Sequence, residues 1–144
     1  MKTINELLTE ASEIADKSTK VLNELSTSIT NTLIPALRQV MRGYGIGACY
    51  ISMSNKPYAE SKGFTGEFEQ KYGIQINSED ITEARYDYLS EEWQECDNTL
   101  DRNPLKVASI ELAEKILSRI DMLNTQYAKK NEIASGLIDK INAL

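Results

Sequence analysis

Net negative charge and aromatic residues are concentrated in the middle of this chain, between residues 44 and 103. The 144 residues include 16 Lys or Arg and 22 Asp or Glu, which gives a formal net charge of −6. Residues 1–43 sum to zero and residues 104–144 to +1, whereas residues 44–103 carry −7. Only one aromatic residue, Tyr127, lies outside residues 44–93. The sequence therefore predicts one domain in which two nearly neutral terminal segments flank a distinct middle segment.

The first segment, residues 1–43, has the pattern of one long helix. Thr3 and Glu6 form a T-x-x-E capping box, and apolar residues then recur every three or four positions as far as Val40. Gly43 is a natural helix end. Pro35 removes one backbone donor, so we expect it to kink the helix or to divide it in two.

The third segment, residues 104–144, repeats this pattern. Asn103 and Pro104 supply an N-cap and a first-turn proline, and the apolar stripe continues to Ile141. Two helices of about 40 residues would each be roughly 60 Å long. We predict a mainly α (α+β) fold in which these helices pack as an antiparallel hairpin, with the middle segment inserted between them.

A homodimeric four-helix bundle is the expected assembly. The apolar stripes are two to three residues wide, which favours burial against more than one neighbouring helix. The alternative is a monomer in which the middle segment folds back over the remaining apolar surface.

The middle segment, residues 44–103, predicts a small β-hairpin followed by an acidic helix. Residues 44–53 are rich in glycine, aromatic and β-branched residues, which is typical of a strand, and residues 58–64 are its expected hairpin partner. Residues 65–73 fit a short helix or a loop, and residues 74–76 a short strand. Ser78 is the expected cap of an acidic helix that continues to about Leu100.

Composition excludes several classes of function. The chain has no histidine, so it lacks Ser-His-Asp and Cys-His catalytic sets and any histidine metal site. Cys49 and Cys96 are expected to be reduced, small buried side chains. We therefore expect a non-enzymatic protein with no catalytic residue, no metal and no cofactor.

The same composition bears on location and on nucleic acid. No apolar run approaches the ~20 residues of a membrane span, and the N-terminus has no signal-peptide pattern. We therefore expect a cytoplasmic protein that does not associate with membranes. With a pI of about 4.8 and no basic run, direct binding of nucleic acid is disfavoured. Gly43, Gly45 and Gly47 lack the spacing of a phosphate-binding loop and are read as turn residues.

The acidic helix is the leading candidate for a binding site. Between Glu79 and Asp97 there are eight carboxylates and one cation, with aromatic residues among them. Carboxylates and rigid aromatic rings together are typical of an interface with a basic protein surface, such as one that normally binds nucleic acid. The chain could thus be a nucleic-acid mimic that inhibits a mobile-element or host-defence protein. The expected contact residues are Tyr86, Asp87, Tyr88, Glu91, Glu92, Trp93, Glu95 and Asp97.

Two alternatives use other residues. The first is an oligomeric protein that sequesters a small nucleotide-like ligand in a pocket lined by Tyr44, Tyr50, Tyr58 and Arg85, with ring stacking supplying affinity.

The second alternative is an enzyme. Two E-x-x-E pairs, Glu92 with Glu95 and Glu111 with Glu114, are expected on adjacent helices, where they would surround Mg²⁺. This layout is similar to that of the all-α nucleotide pyrophosphatases, which implies a Mg²⁺-dependent nucleotide hydrolase.

Overall fold

The computed structural model describes residues 1–53, 72–87, 90–99 and 109–144. In the described residues, helices predominate and are accompanied by a four-stranded antiparallel sheet. The elements are α1 (Ile4–Ser28), a π-helical turn (Ile29–Leu33), α2 (Ile34–Tyr44), β1 (Ala48–Met53), β2 (Tyr72–Asn77), β3 (Ile81–Asp87), β4 (Glu92–Thr99) and α3 (Ser109–Asn142).

The predicted N-terminal helix is confirmed with the expected cap at its start, but it ends at Tyr44 rather than at Gly43, which lies within α2. The Thr3 hydroxyl accepts a hydrogen bond from the backbone N–H of Glu6, which caps α1. At the other end, Gly45 adopts a φ of +70°, a left-handed conformation that glycine adopts without steric cost. Its N–H and that of Ile46 bond back to the last turn of α2.

Pro35 is accommodated by a local change of helix type. The residues before it form the π-helical turn, in which the N–H of Ile34 donates to the carbonyl of Ile29, five residues back. Because Pro35 has no N–H, the α-helical hydrogen-bond pattern is interrupted here, and helical backbone resumes in α2.

The predicted acidic helix is wrong. Ile81–Asp87 and Glu92–Thr99 form the two antiparallel strands β3 and β4, with Tyr86 opposite Trp93 and Asp87 opposite Glu92. Glu83, Arg85 and Asp87 alternate with Thr82, Ala84 and Tyr86, which is the period of two of a strand. The many glutamates suggested a helix, but this alternation and the β-favouring Ile, Thr, Tyr and Trp residues decide the outcome.

The predicted strand after the first helix is confirmed, but it is shorter than expected, because Tyr44 belongs to α2. Its expected hairpin partner at residues 58–64 lies outside the described residues, as does nearly all of the segment expected at residues 65–73. Within the described residues β1 pairs with β2, whose core at residues 74–76 was expected as a strand. The sheet order is β1-β2-β3-β4.

The hydrophobic core lies between the helices and one face of the sheet, here called the inner face. Ile51 of β1 and Ile74 of β2 face each other in the register and are both buried. They pack in one cluster with the helical residues Ile29, Leu37 and Ile116. Removing such aliphatic side chains from water is the main term that holds helices and sheet together.

The expected C-terminal helix is confirmed from Ser109 onward as α3, and its expected start at Asn103 and Pro104 lies outside the described residues. Its antiparallel hairpin packing with the first helix is not confirmed. Tyr44, the last residue of α2, stacks on Tyr127, with ring centroids 4.1 Å apart. The α3 residues buried in the core lie between Ser109 and Leu123, and all residues from Ala128 onward are exposed. The part of α3 that contacts the core is therefore its N-terminal part, up to Tyr127.

Two cations of α3 bind the backbone of β1. Arg119 donates to the carbonyl of Tyr50 at 2.8 Å, and Lys115 donates to the carbonyl of Ser52. Carbonyls two residues apart in a strand point the same way, so α3 satisfies a row of acceptors along β1. None of the described helices is long and apolar enough to cross a membrane.

Candidate binding surface on the sheet

The face of the sheet that points away from the core, here called the outer face, follows from strand alternation. Cys49, Ile51 and Met53 are buried against the helices, so Tyr50 and Ser52 lie on the opposite side of β1. The register carries this face across the sheet through positions on β2, β3 and β4. Its residues include Tyr50, Gly73, Gln75, Thr82, Ala84, Tyr86 and Trp93.

Three aromatic rings meet on the outer face. The rings of Tyr50 and Trp93 are nearly parallel, with planes inclined by 15° and centroids 6.4 Å apart. The ring of Tyr86 meets Trp93 edge-on, with centroids 5.5 Å apart and planes inclined by 71°. All three residues are partly exposed. We call Tyr50, Tyr86 and Trp93 the aromatic cluster.

Small residues allow the rings to cover the sheet. A Cβ placed on Gly73 of β2 would lie 2.8 Å from an indole carbon of Trp93, although Trp93 belongs to β4. The indole therefore reaches across β3, and Ala84 of β3 is fully buried on this same face. Tyr50 and Trp93, three strands apart in the sheet order, can then approach each other.

A buried hydrogen-bond network fixes the sheet beside the cluster. The Gln75 side chain, buried on β2, donates from Nε2 to the Tyr50 hydroxyl at 3.2 Å. Its Oε1 accepts from the buried hydroxyl of Thr82 at 3.0 Å and from the Asn77 side chain at 3.3 Å. A buried amide with these partners is well satisfied, so the network orients the Tyr50 ring rather than adding a reactive group.

Two carboxylates lie next to the cluster in sequence and are exposed. Glu91 and Glu92 precede Trp93 at the β3–β4 connection. Glu91 has a φ of +55°, which side-chain-bearing residues adopt at a cost. A second exposed acidic pair, Glu79 and Asp80, lies in the β2–β3 turn, where the Asn77 side chain accepts from both backbone N–H groups.

The remaining residues of the leading prediction lie on strands. Asp87, Glu95 and Asp97 occupy β3 and β4, with Glu95 opposite Ala84 in the register. Tyr88 lies outside the described residues. The structure thus brings Tyr86 and Trp93 together on a sheet rather than on the expected helix, and Glu91 and Glu92 directly precede Trp93 in the chain.

The residues of the alternative pocket do not share one location within the chain. Tyr44 ends α2, where it stacks on Tyr127 and donates to the Asn124 side chain at 2.6 Å. Tyr50, in contrast, belongs to the aromatic cluster. Arg85 is on β3 opposite Tyr72, and Tyr58 lies outside the described residues.

The expected pair of acidic helices is wrong. Glu92 and Glu95 lie on β4, whereas Glu111 and Glu114 lie on α3, where Glu111 forms an ion pair with Lys115. No three His, Cys, Asp or Glu side chains among the described residues could together hold a metal ion.

Cys49 is buried, as expected, on the inner face of β1. Burial raises the pKa of its thiol above the ordinary value of 9.0, and the nearby positive charge of Arg119 and its hydrogen bond partly oppose that rise. The thiol is therefore protonated at neutral pH and has little nucleophilic character.

Sequence reasoning missed the residues that build the surface beneath the rings. Gly73, Gln75 and Thr82 were not singled out, because each is ordinary in isolation. The available signal was the period of two from Thr82 to Asp87, which would have placed Tyr86 and Thr82 on the same face.

No family model, curated protein or solved structure matches this chain, so its function is inferred from the geometry of this surface.

Proposed function

We propose that this protein is a non-enzymatic binding protein whose outer sheet face engages a basic surface on another protein. The observation that supports this most is the aromatic cluster of Tyr50, Tyr86 and Trp93, partly exposed and adjacent in sequence to the exposed carboxylates of Glu91 and Glu92. Rigid rings and carboxylates together match the chemistry of arginine and lysine side chains.

The binding mode follows from these groups. A guanidinium can stack on an indole or phenol ring, which contributes about 0.5–1 kcal/mol at exposed sites. Other guanidinium groups of the same basic surface can pair with the exposed carboxylates at the β3–β4 connection, and several such contacts add up over a surface. Because the rings are held by each other and by Gln75, little side-chain entropy is lost on binding.

The proposed biological role is competition with nucleic acid. Residues 44–103 carry a net −7, and a protein surface that normally binds phosphates would be attracted to them. Such a protein would act as an inhibitor of the mobile-element or host-defence type. We place this protein in the cytoplasm. We also propose that it is a homodimer, because the outer parts of α1 and α3 have exposed apolar side chains.

The test uses an arginine-rich peptide as the probe and Trp93 as the reporter. Trp93 is the single tryptophan, so its fluorescence reports on the proposed surface directly. We expect titration with an oligo-arginine peptide to change the emission saturably, and the apparent Kd to rise with salt concentration. A glutamine peptide of the same length should leave the emission unchanged.

A matched pair of charge variants separates local from general attraction. Glu91→Gln/Glu92→Gln should weaken peptide binding severalfold, whereas Glu13→Gln/Glu24→Gln removes the same charge from exposed positions on α1 and should have little effect. Equal weakening by both pairs would reduce the interaction to nonspecific attraction and refute the proposed site.

A second candidate function rests on the near-parallel rings of Tyr50 and Trp93. A planar nucleotide-like ligand could stack against this pair, close to the amide of Gln75. Thermal shifts with a set of nucleotides would test it, because a ligand that binds only the folded state raises Tm. If no nucleotide raises Tm, this second candidate function is refuted and the basic-surface proposal remains.

A further inference from the structure

The N-terminal part of α1 has an apolar face that the described structure leaves uncovered. Apolar residues between Ile4 and Val21 are about half to three-quarters exposed. The large exposed side chains are Ile4, Leu7, Leu8, Ile14 and Val21. The face follows a heptad spacing of alternating three and four residues, through Ile4, Leu7, Ala11, Ile14, Ser18 and Val21. We call this face the α1 seam.

We propose that the α1 seam packs antiparallel against the α1 seam of a second copy of this chain, with Ala11 opposite the partner's Ile14 and Ile4 opposite the partner's Val21. This inference deepens the homodimer included in the proposed function. A two-fold axis between the helices makes the contact self-complementary and closed.

Side-chain size favours the antiparallel arrangement. It places the small Ala11 and Ser18 opposite the larger Ile14 and Leu7 of the partner, so that layers alternate large against small. A parallel, in-register pair would instead place Ala11 against Ala11 and Ser18 against Ser18, which leaves the layers underfilled.

Charge complementarity selects the register. Glu10 and Lys17 occupy equivalent heptad positions that flank the seam. In the proposed register, Glu10 of each copy lies beside Lys17 of the other copy. A shift by one heptad would place Lys17 beside Lys17 and Glu10 beside Glu24, which is repulsive. Glu10 also binds Lys2 of its own chain through Oε2, which leaves its second oxygen for the partner's Lys17.

The length of the free segment selects the same register. Residues 11–21 are exposed throughout, but Ser26 and Ile29 are buried in the described fold. In the proposed register the partner's N-terminus ends near Val21. The shifted register would place the partner's N-terminus alongside Ser26 and Ile29, which are already buried within their own chain.

The free end of α3 matches a second copy less well. Its exposed apolar residues include Leu137 and Ile141, but the seam that continues from Leu123 and Tyr127 is interrupted by Lys130. Its flanking positions carry no complementary pair of charges of the kind that Glu10 and Lys17 form.

Sedimentation equilibrium of the full chain tests this contact. We expect a mass near twice 16.2 kDa at micromolar concentration for the natural sequence and for Ser12→Asp, a substitution on another face of α1. Ile14→Asp should give the monomer mass, and its fold should persist because Ile14 is exposed in the single chain. A dimer that survives Ile14→Asp but dissociates with Leu137→Asp would overturn the proposal in favour of α3.

Charge exchange tests the register. Lys17→Glu and Glu10→Lys, each alone, should weaken self-association by at least about tenfold, whereas the double variant should restore it, because it exchanges the two charges across the interface. A monomeric natural chain, or a double variant as weak as the single ones, would contradict the register. The peptide titration followed by Trp93 fluorescence reports on the sheet of each chain, so its outcome does not depend on these α1 variants.

Discussion

The indole of Trp93 lies over Gly73: a Cβ placed on Gly73 would come within 2.8 Å of Cζ3 of that ring and equally close to the carbonyl oxygen of Ile51. This close approach ties β4 to β2 across the intervening strand. It is also what places Trp93 beside Tyr50 rather than out in solvent.

Gly73→Ala should therefore destabilise the protein and displace the ring. Adding a methyl group to a filled space costs about 1–3 kcal/mol. Chemical denaturation followed by Trp93 fluorescence should show the loss, together with a native emission shifted toward that of an exposed indole. Gly43→Ala is the control: nothing lies within 4 Å of its Cβ, and alanine in helix α2 should stabilise by about 0.5–1 kcal/mol. Equal changes in stability from the two substitutions would contradict the close approach of the Trp93 ring to Gly73.

Substitutions at two positions with positive φ, Gly45 and Glu91, should change the free energy of unfolding in opposite directions. Gly45→Ala should cost about 1 kcal/mol, because φ is +70° where α2 ends. Glu91→Gly, at φ +55°, should stabilise by up to about 1 kcal/mol. The same Glu91→Gly variant should bind the arginine-rich peptide more weakly, so stability and binding should move apart. A variant that is both less stable and equally tight in binding would contradict the description of this connection.

The stacked pair of Tyr44 and Tyr127 should show a measurable coupling. A double-mutant cycle with Tyr44→Leu and Tyr127→Leu should give a coupling of about 0.5–1.5 kcal/mol in the free energy of unfolding. Tyr44 with Tyr50 serves as the comparison, because Tyr50 lies on the outer face and its substitution should be additive within about 0.5 kcal/mol. Additivity of the stacked pair would argue against the placement of α3 on the end of α2.

Cys49 should make stability depend on alkaline pH. Its pKa is raised in the folded state, chiefly by burial, so the folded protein holds the thiol proton more tightly than the unfolded chain does. The resulting contribution is fully present below the unfolded pKa of about 9 and is lost as the pH rises toward the folded value. In a Cys96→Ser background, the chain with Cys49 should lose stability above about pH 9 relative to Cys49→Ala. A constant difference between the two proteins across that range would contradict the burial of this thiol.

The terminal helices could be predicted from the sequence because their signals are local. The capping box at Thr3, the apolar period and the glycines after Arg42 act within a few residues of one another. The π-helical turn before Pro35 was not foreseen, because the sequence shows only that a donor is missing. Whether the backbone kinks, breaks or widens depends on what packs around Ile29 and Ile34.

The sheet was harder to predict because pairing is non-local. The glutamates around Trp93 favour a helix in isolation, and strands form there because β3 and β4 pair with each other and with β2. Residue type alone marks Tyr86, Glu91, Glu92 and Trp93 as candidate contact residues. The approach of Tyr50 to Trp93 could not be predicted without the register of four strands.

The most direct test of the proposed binding surface is a ¹⁵N–¹H correlation spectrum recorded during titration with the oligo-arginine peptide. The single tryptophan gives one indole N–H signal, and Gln75 provides a side-chain amide signal beside Tyr50. We predict that the Trp93 indole signal and backbone signals of Glu91 and Glu92 shift progressively and saturate together, whereas signals from α1 stay in place. Binding of the peptide with an unmoved Trp93 signal would contradict the account.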